Sequence, residues 1–162
     1  MAMQPAEQQD QVYSTRRGLE ACRREDWEQG LQLLGGLVNG RSSLEAPSVV
    51  YSYLGYGLAL KEKKYREGLA MCHFAINADI CEPENYFNCA RTYLLTGKRS
   101  EAVGMLNRGM ALEPDDKKLV ALRLSLGVRK PPVLGFLSRD NLLNRILGRV
   151  RHDFRSDSAA QR

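Results

Sequence analysis

Hydrophobic and small residues recur along this chain at helical spacing, in pairs of segments separated by short polar breaks. The clearest pair spans 83–114. In its first half Tyr86, Ala90, Tyr93 and Leu94 share one helical face; in its second, Ala102, Leu106, Gly109 and Met110 fall at i, i+4, i+7 and i+8. Thr96-Gly97-Lys98 supplies the turn between the two helices, and Pro114 stops the second. The same grammar runs upstream, with Tyr51, Leu54, Gly55 and Leu58 on a first helix and Gly68 and Cys72 on a second. A weaker copy carries Gly18 and Ala21, then Trp27, Gly30, Leu34 and Leu37. Small residues recur at Gly18, Gly55 and Ala90 on the first helices and at Gly30, Gly68 and Ala102 on the second, where they let paired helices approach closely. The breaker-rich loop Gly40–Pro47 absorbs the longer first step.

These residues resemble the tetratricopeptide repeat (TPR) family, whose pattern is W-x2-L-G-x2-Y, then A-x3-F, then P, at a period of about 34 residues. The likeness is good over 83–114, fair over 48–82 and poor over 10–39, where Ser14 and Arg17 stand for the expected aromatic and leucine. One helical hairpin cannot bury both faces, so neighbouring hairpins stack. The resemblance therefore implies an all-α, right-handed superhelical solenoid of about three helical hairpins, plus C-terminal capping helices. The expected organisation is a disordered N-terminus at 1–9, repeats at 10–39, 48–82 and 83–114, a capping helix at 115–128, a basic amphipathic helix region at 129–155 and a disordered tail at 156–162.

The resemblance also places a concave groove along the first helix of each pair. Carried onto this sequence, the partner-binding residues are Thr15, Leu19 and Arg23, then Ser52 and Tyr56, then Phe87, Arg91 and Leu95. Aromatic and arginine side chains are the types enriched at binding hot spots. Family members that bind chaperone tails hold a terminal carboxylate with a clamp of lysines and asparagines. Here Thr15, Leu19, Tyr53 and Phe87 occupy clamp positions and only Arg91 is kept, which disfavours that role and favours a segment with apolar anchors.

Charge changes the picture at one end of the chain. Of 162 residues, 24 are Lys or Arg and 19 Asp or Glu, a formal net charge of +5. Residues 1–128 hold 16 of each sign, so the excess lies in 129–162, with eight basic and three acidic side chains. That distribution argues against nucleic-acid binding by the whole fold. Leu143, Ile146, Leu147 and Val150 form an apolar stripe there, with Arg139, Arg145, Arg149 and Arg151 making a basic tail. Three roles compete for it: closing the end of the solenoid, docking a partner, or lying on an anionic membrane surface. Before it, Leu119, Leu122 and Leu126 make one stripe and Val120 and Leu124 a second, so a helix at 115–128 needs a cover. The run Pro131–Arg149 resembles the tail of short bacterial repeat proteins of unassigned role, which implies bacterial origin and no function.

Candidate chemistry is thin. Gly97-Lys98-Arg99-Ser100 lacks the rest of a phosphate loop and reads as an inter-helix turn. Cys22, Cys72, Cys81 and Cys89 form no C-x-x-C pair and read as buried small hydrophobes, and His73 as structural. The expectation is a protein that is not an enzyme and has no cofactor, no metal and no catalytic residues. With no secretory signal and no apolar run of about 18 residues, it is expected in the cytoplasm. The function expected is a scaffold or adaptor that binds a peptide or protein segment in the groove. The alternatives are a TPR chaperone of a bacterial secretion system, a class the chain resembles in length, in its three repeats and in Asp79-Ile80-Cys81-Glu82-Pro83 but not in its basic tail and weak first repeat, or a membrane-surface adaptor anchored by the basic helix.

Overall fold

A computed structural model describes residues 5–38 and 46–127. The chain divides into two units, Met1–Ser125 and Leu126–Arg162, and the architecture here is that of the first. The basic tail residues Arg139, Arg145, Arg149 and Arg151 lie outside the described residues.

Seven helices and no strand occur among the described residues: α1 (Pro5–Arg23), α2 (Trp27–Val38), α3 (Ser48–Glu62), α4 (Tyr65–Ala78), α5 (Pro83–Leu95), α6 (Arg99–Leu112) and α7 (Lys117–Ser125). They pack as successive hairpins, α1 on α2, α3 on α4 and α5 on α6, with α3 bridging to α5 and α7 closing on α6. The expected all-α helical repeat is the observed one. α1 begins at Pro5, ahead of the repeat start expected at residue 10, because proline suits a first helical turn and Ala6, Glu7, Gln8 and Gln9 favour helix.

The small residues do what their recurrence predicts. A Cβ on Gly55 would stand 2.5 Å from the Gly68 carbonyl oxygen, so α3 and α4 touch backbone to backbone. In the first hairpin a Cβ on Gly30 would meet Cys22 Sγ, and in the third Ala90 and Ala102 are fully buried. Leu34, Leu106 and Leu119 fill the wider gaps without exposure.

Each hairpin turns through one residue in the left-handed region: Glu25 (φ 65°), Lys63 (φ 57°) and Gly97 (φ 72°). Only the third is the glycine that this conformation favours. The starts of α2, α5 and α7 are capped by side chains, whereas those of α3, α4 and α6 are not. Asp26 Oδ1 accepts from Gln29 N at 3.3 Å, Glu82 Oε1 from Glu84 N at 3.0 Å, and Asp116 Oδ1 from Leu119 N at 2.8 Å.

Of the four cysteines, Cys22, Cys72 and Cys89 are buried. Cys81 departs from the expected burial: it lies exposed in the turn between α4 and α5, where the helical period has already ended. On α7, Leu119 is buried and Leu122 half-buried, whereas Leu124 is 72% exposed.

Candidate partner-binding site

The first helices of the three hairpins, α1, α3 and α5, share one face, and two contacts far apart in sequence cross it. The first is centred on Glu84, in the opening turn of α5. Arg23, in the last turn of α1, grips its carboxylate with two hydrogen bonds, Nε to Oε1 at 3.1 Å and Nη2 to Oε2 at 2.6 Å. Tyr53 donates its hydroxyl to Oε1 at 2.5 Å from α3, and Lys118 donates from α7 at 3.2 Å. Four helices thus converge on one carboxylate whose side chain is 14% exposed. Burial alone would raise the Glu84 pKa, but the hydrogen bonds from Arg23 and Tyr53 and the charges of Arg23 and Lys118 outweigh it, lowering it to about 2. Burial first, then the Glu84 charge, pushes the Tyr53 phenol upward. A cleft of about 230 Å³ opens beside this cluster, lined in part by Arg23, Glu84, Phe87 and Lys118.

The second contact is centred on Arg91, two turns further along α5. Its guanidinium carbon lies 4.0 Å from the ring centroid of Tyr56 and 5.4 Å from those of Trp27 and Phe87. Trp27 and Tyr56 meet edge to face, centroids 5.0 Å apart. Three rings from α2, α3 and α5 therefore box one cation, within the range of cation–π attraction. The anionic contact of Arg91 is long: Nη2 lies 3.5 Å from Glu25 Oε1 in the α1–α2 turn. The Arg91 side chain is 19% exposed and that of Glu25 75%.

The eight residues expected in the groove have different surroundings. Tyr56, Phe87 and Arg91 come together, with Trp27 as a fourth member. Arg23 is brought to Glu84. Thr15 donates its hydroxyl to the Gln11 carbonyl at 2.7 Å and, with Val12 and Pro47, lines a cleft of about 540 Å³ beside α1. Leu95, at the end of α5, is exposed. Leu19 is buried in the core cluster with Trp27, Val50 and Tyr53. Ser52 is fully buried, donating to the Val49 carbonyl at 2.9 Å and accepting from Asn88 Nδ2 at 3.0 Å. Tyr56 is also part of the core, so its ring both lines the face and holds the first two hairpins together.

Sequence reasoning passed over Glu84 as a hub, Trp27 as a wall of the box, and Lys118 and Glu25 as partners. Trp27 and Lys118 belong to helices outside the first-helix set that the family pattern assigns to the groove, and Glu25 belongs to a turn. Glu84, Phe87 and Arg91, at i, i+3 and i+7, share one face of α5, as their helical spacing requires.

Among the described residues no group of three or more His, Cys, Asp or Glu side chains is placed to hold a metal ion. No helix among them is long and apolar enough to cross a membrane. His73 Nε2 and the Tyr93 hydroxyl hydrogen-bond at 2.8 Å between α4 and α5.

The architecture defines a class: stacked helical hairpins with one face formed by the first helices. Solved structures give the class its name, since the chain has the fold of tetratricopeptide repeat domains. It superposes on the OM64 TPR domain of Arabidopsis with a TM-score of 0.57 at 14% identity, covering 74% of this chain and 95% of that one. Against the first TPR of Spaghetti (RPAP3) bound to the HSP90 peptide SRMEEVD, the TM-score is 0.56 at 14% identity, covering 73% and 90%. Against the second TPR domain of human RPAP3 in complex with the HSP70 peptide SGPTIEEVD, it is 0.55 at 19% identity, covering 73% and 95%. No family model matches the sequence, and no curated protein matches it.

Proposed function

We propose that this chain is a non-enzymatic protein-interaction module that takes up a segment of another protein along the α1–α3–α5 face. The observation that carries this reading is the boxed arginine. Arg91 is largely withdrawn from water, stacked on aromatic faces, and meets its anion only at 3.5 Å. A structural ion pair would be shorter and would shield its carboxylate, as Arg23 with Glu84 does. A guanidinium held by its faces keeps its edge donors aimed and available, which lowers the ordering cost of binding.

Tyr56, Phe87, Arg91 and Leu95 are the direct contacts in this reading, flanked by Thr15 and the exposed part of Arg23. Leu19 and Ser52 act through packing beneath them. Support comes also from the structural neighbours, two of which hold a peptide. The clamp positions at Thr15, Leu19, Tyr53 and Phe87 lack lysine and asparagine, so the segment recognised here differs from a tail held by that clamp.

The test is co-purification of partners from native lysate by the wild-type chain and by Arg91→Ala. Because Tyr56 is core, its truncation would confuse binding with folding; Arg91 is the cleaner probe. Circular dichroism should show equal helicity for both proteins, with the partner retained by wild type reduced at least several-fold for the variant. Equal retention of the same partner would overturn the reading.

A further inference from the structure

The Arg91 box raises the question of what Glu25 is doing beside it. Glu25 occupies the left-handed position of the α1–α2 turn at φ 65°, where the matching position of the third hairpin is Gly97 at φ 72°. A side chain there is strained relative to glycine. Its carboxylate reaches Arg91 across 66 residues of sequence, yet only to 3.5 Å and with three quarters of its side chain in water. Such a contact is weak and readily exchanged. Glu84 shows the alternative on the same face, with two short arginine contacts, a tyrosine hydroxyl and little exposure.

We propose that Glu25 is a built-in competitor: it occupies the edge of the boxed Arg91 guanidinium in the free protein and is displaced by a carboxylate of the bound segment. This rests on the groove reading above and names the chemistry of one anchor. The rings of Trp27, Tyr56 and Phe87 hold the guanidinium in place, so the exchange moves Glu25 and leaves the box intact. Charge complementarity selects an acidic side chain as the entering group, because the guanidinium fork matches a planar carboxylate. Glu25 then discriminates against segments without one. A neutral segment would have to break the Arg91–Glu25 contact without replacing it.

Trp27, the single tryptophan of the chain, is a wall of the box, so its fluorescence reports the exchange. The experiment titrates the full chain with hexaglutamate peptide acetylated at its N-terminus and amidated at its C-terminus, using the equally capped hexaglutamine as the uncharged control. Variants are Glu25→Gln, Glu28→Gln as a control for net charge, and Glu25→Gln combined with Arg91→Ala. Removing a competitor of this strength should tighten hexaglutamate binding by about two- to fivefold for Glu25→Gln. Glu28→Gln should bind as wild type does, and the combined variant should bind more weakly than wild type. Three results would overturn the proposal: unchanged or weaker binding by Glu25→Gln, the same gain in Glu28→Gln, or no response from any protein. The groove reading fails on a different result, unchanged partner retention by Arg91→Ala, so the two failures are distinguishable.

Discussion

Two arginines reach across the same face and are treated in opposite ways. Arg23 is locked: its fork closes on Glu84, which also takes a tyrosine hydroxyl and a lysine, so little bonding capacity remains. Arg91 is held by its faces and only loosely bonded at its edge, with rings on several sides and a mostly solvated carboxylate at 3.5 Å. The first arrangement ties α1, α3, α5 and α7 into one body. The second presents a prepared cation on that body. Structural charge and presented charge differ here less in residue type than in how completely the donors are spent.

The largest expected effect breaks both sites together. α3 carries Tyr53 to the hub and Tyr56 to the box, and its seat depends on the contact between Gly55 and Gly68. Gly55→Ala would put a methyl 2.5 Å from a backbone oxygen and 3.0 Å from Cys72 Sγ, so α3 and α4 must separate. A loss of about 2–3 kcal/mol is expected, read by urea unfolding, together with a red shift of Trp27 emission. An alanine accepted at no cost would show that the hairpin is looser than its backbone contact indicates.

Removing the hub alone comes next. Glu84→Ala leaves the buried Tyr53 hydroxyl without its acceptor and frees Arg23 and Lys118, which are half in water and lose less. About 2 kcal/mol is expected, or a Tm lower by roughly 4–8 °C. The same carboxylate gives an acid signature. Its pKa falls to about 2 in the fold from an ordinary value of 4.5. Its contribution is therefore fully present above about pH 4.5 and is lost as pH falls towards 2. The stability difference between wild type and Glu84→Gln should shrink over that window. A constant difference would mean that Glu84 titrates normally and is not held by its partners.

How much of this was legible beforehand divides along the same line. Close approach between helices is written in single residues, because only glycine or alanine permits it; Gly55, Gly68, Ala90 and Ala102 could be read directly. The shared face of Glu84, Phe87 and Arg91 also follows from helical spacing alone. What spacing cannot show is which neighbour from another helix meets a given face. Ser52 has a groove position by register, yet Asn88 from α5 lies against it and both are fully buried. Asn85 reaches Ser48 one turn away in the same manner. The paired recurrence of Ser48/Ser52 and Asn85/Asn88 was the available signal for this polar seam. The hub was hidden for the same reason, since its four members belong to four helices.

A smaller stability effect but a larger binding effect is expected for Arg91→Ala. The rings lose a cation and gain exposure, and Glu25, itself mostly in water, loses only a weak contact, so the change in unfolding free energy should stay near about 1 kcal/mol. Partner retention should fall several-fold all the same. If stability falls as far as it does for Glu84→Ala, Arg91 belongs with the structural arginines and the contrast between the two sites disappears.

The smallest effect isolates the weak contact itself. Lys63 and Glu25 hold equivalent left-handed turn positions, at φ 57° and 65°. Replacing either by glycine relieves backbone strain while loosening the unfolded chain, and a net gain of about 0.5–1 kcal/mol is expected at Lys63. Glu25→Gly should gain less, because it also gives up the contact with Arg91. The shortfall, read from paired urea melts, measures that contact in the free protein. A shortfall of a few tenths of a kcal/mol or less would make Glu25 an easily displaced neighbour of the box. One well above about 1 kcal/mol would move it into the company of Glu84, because a carboxylate that contributes so much to the fold is not one that an entering segment readily displaces.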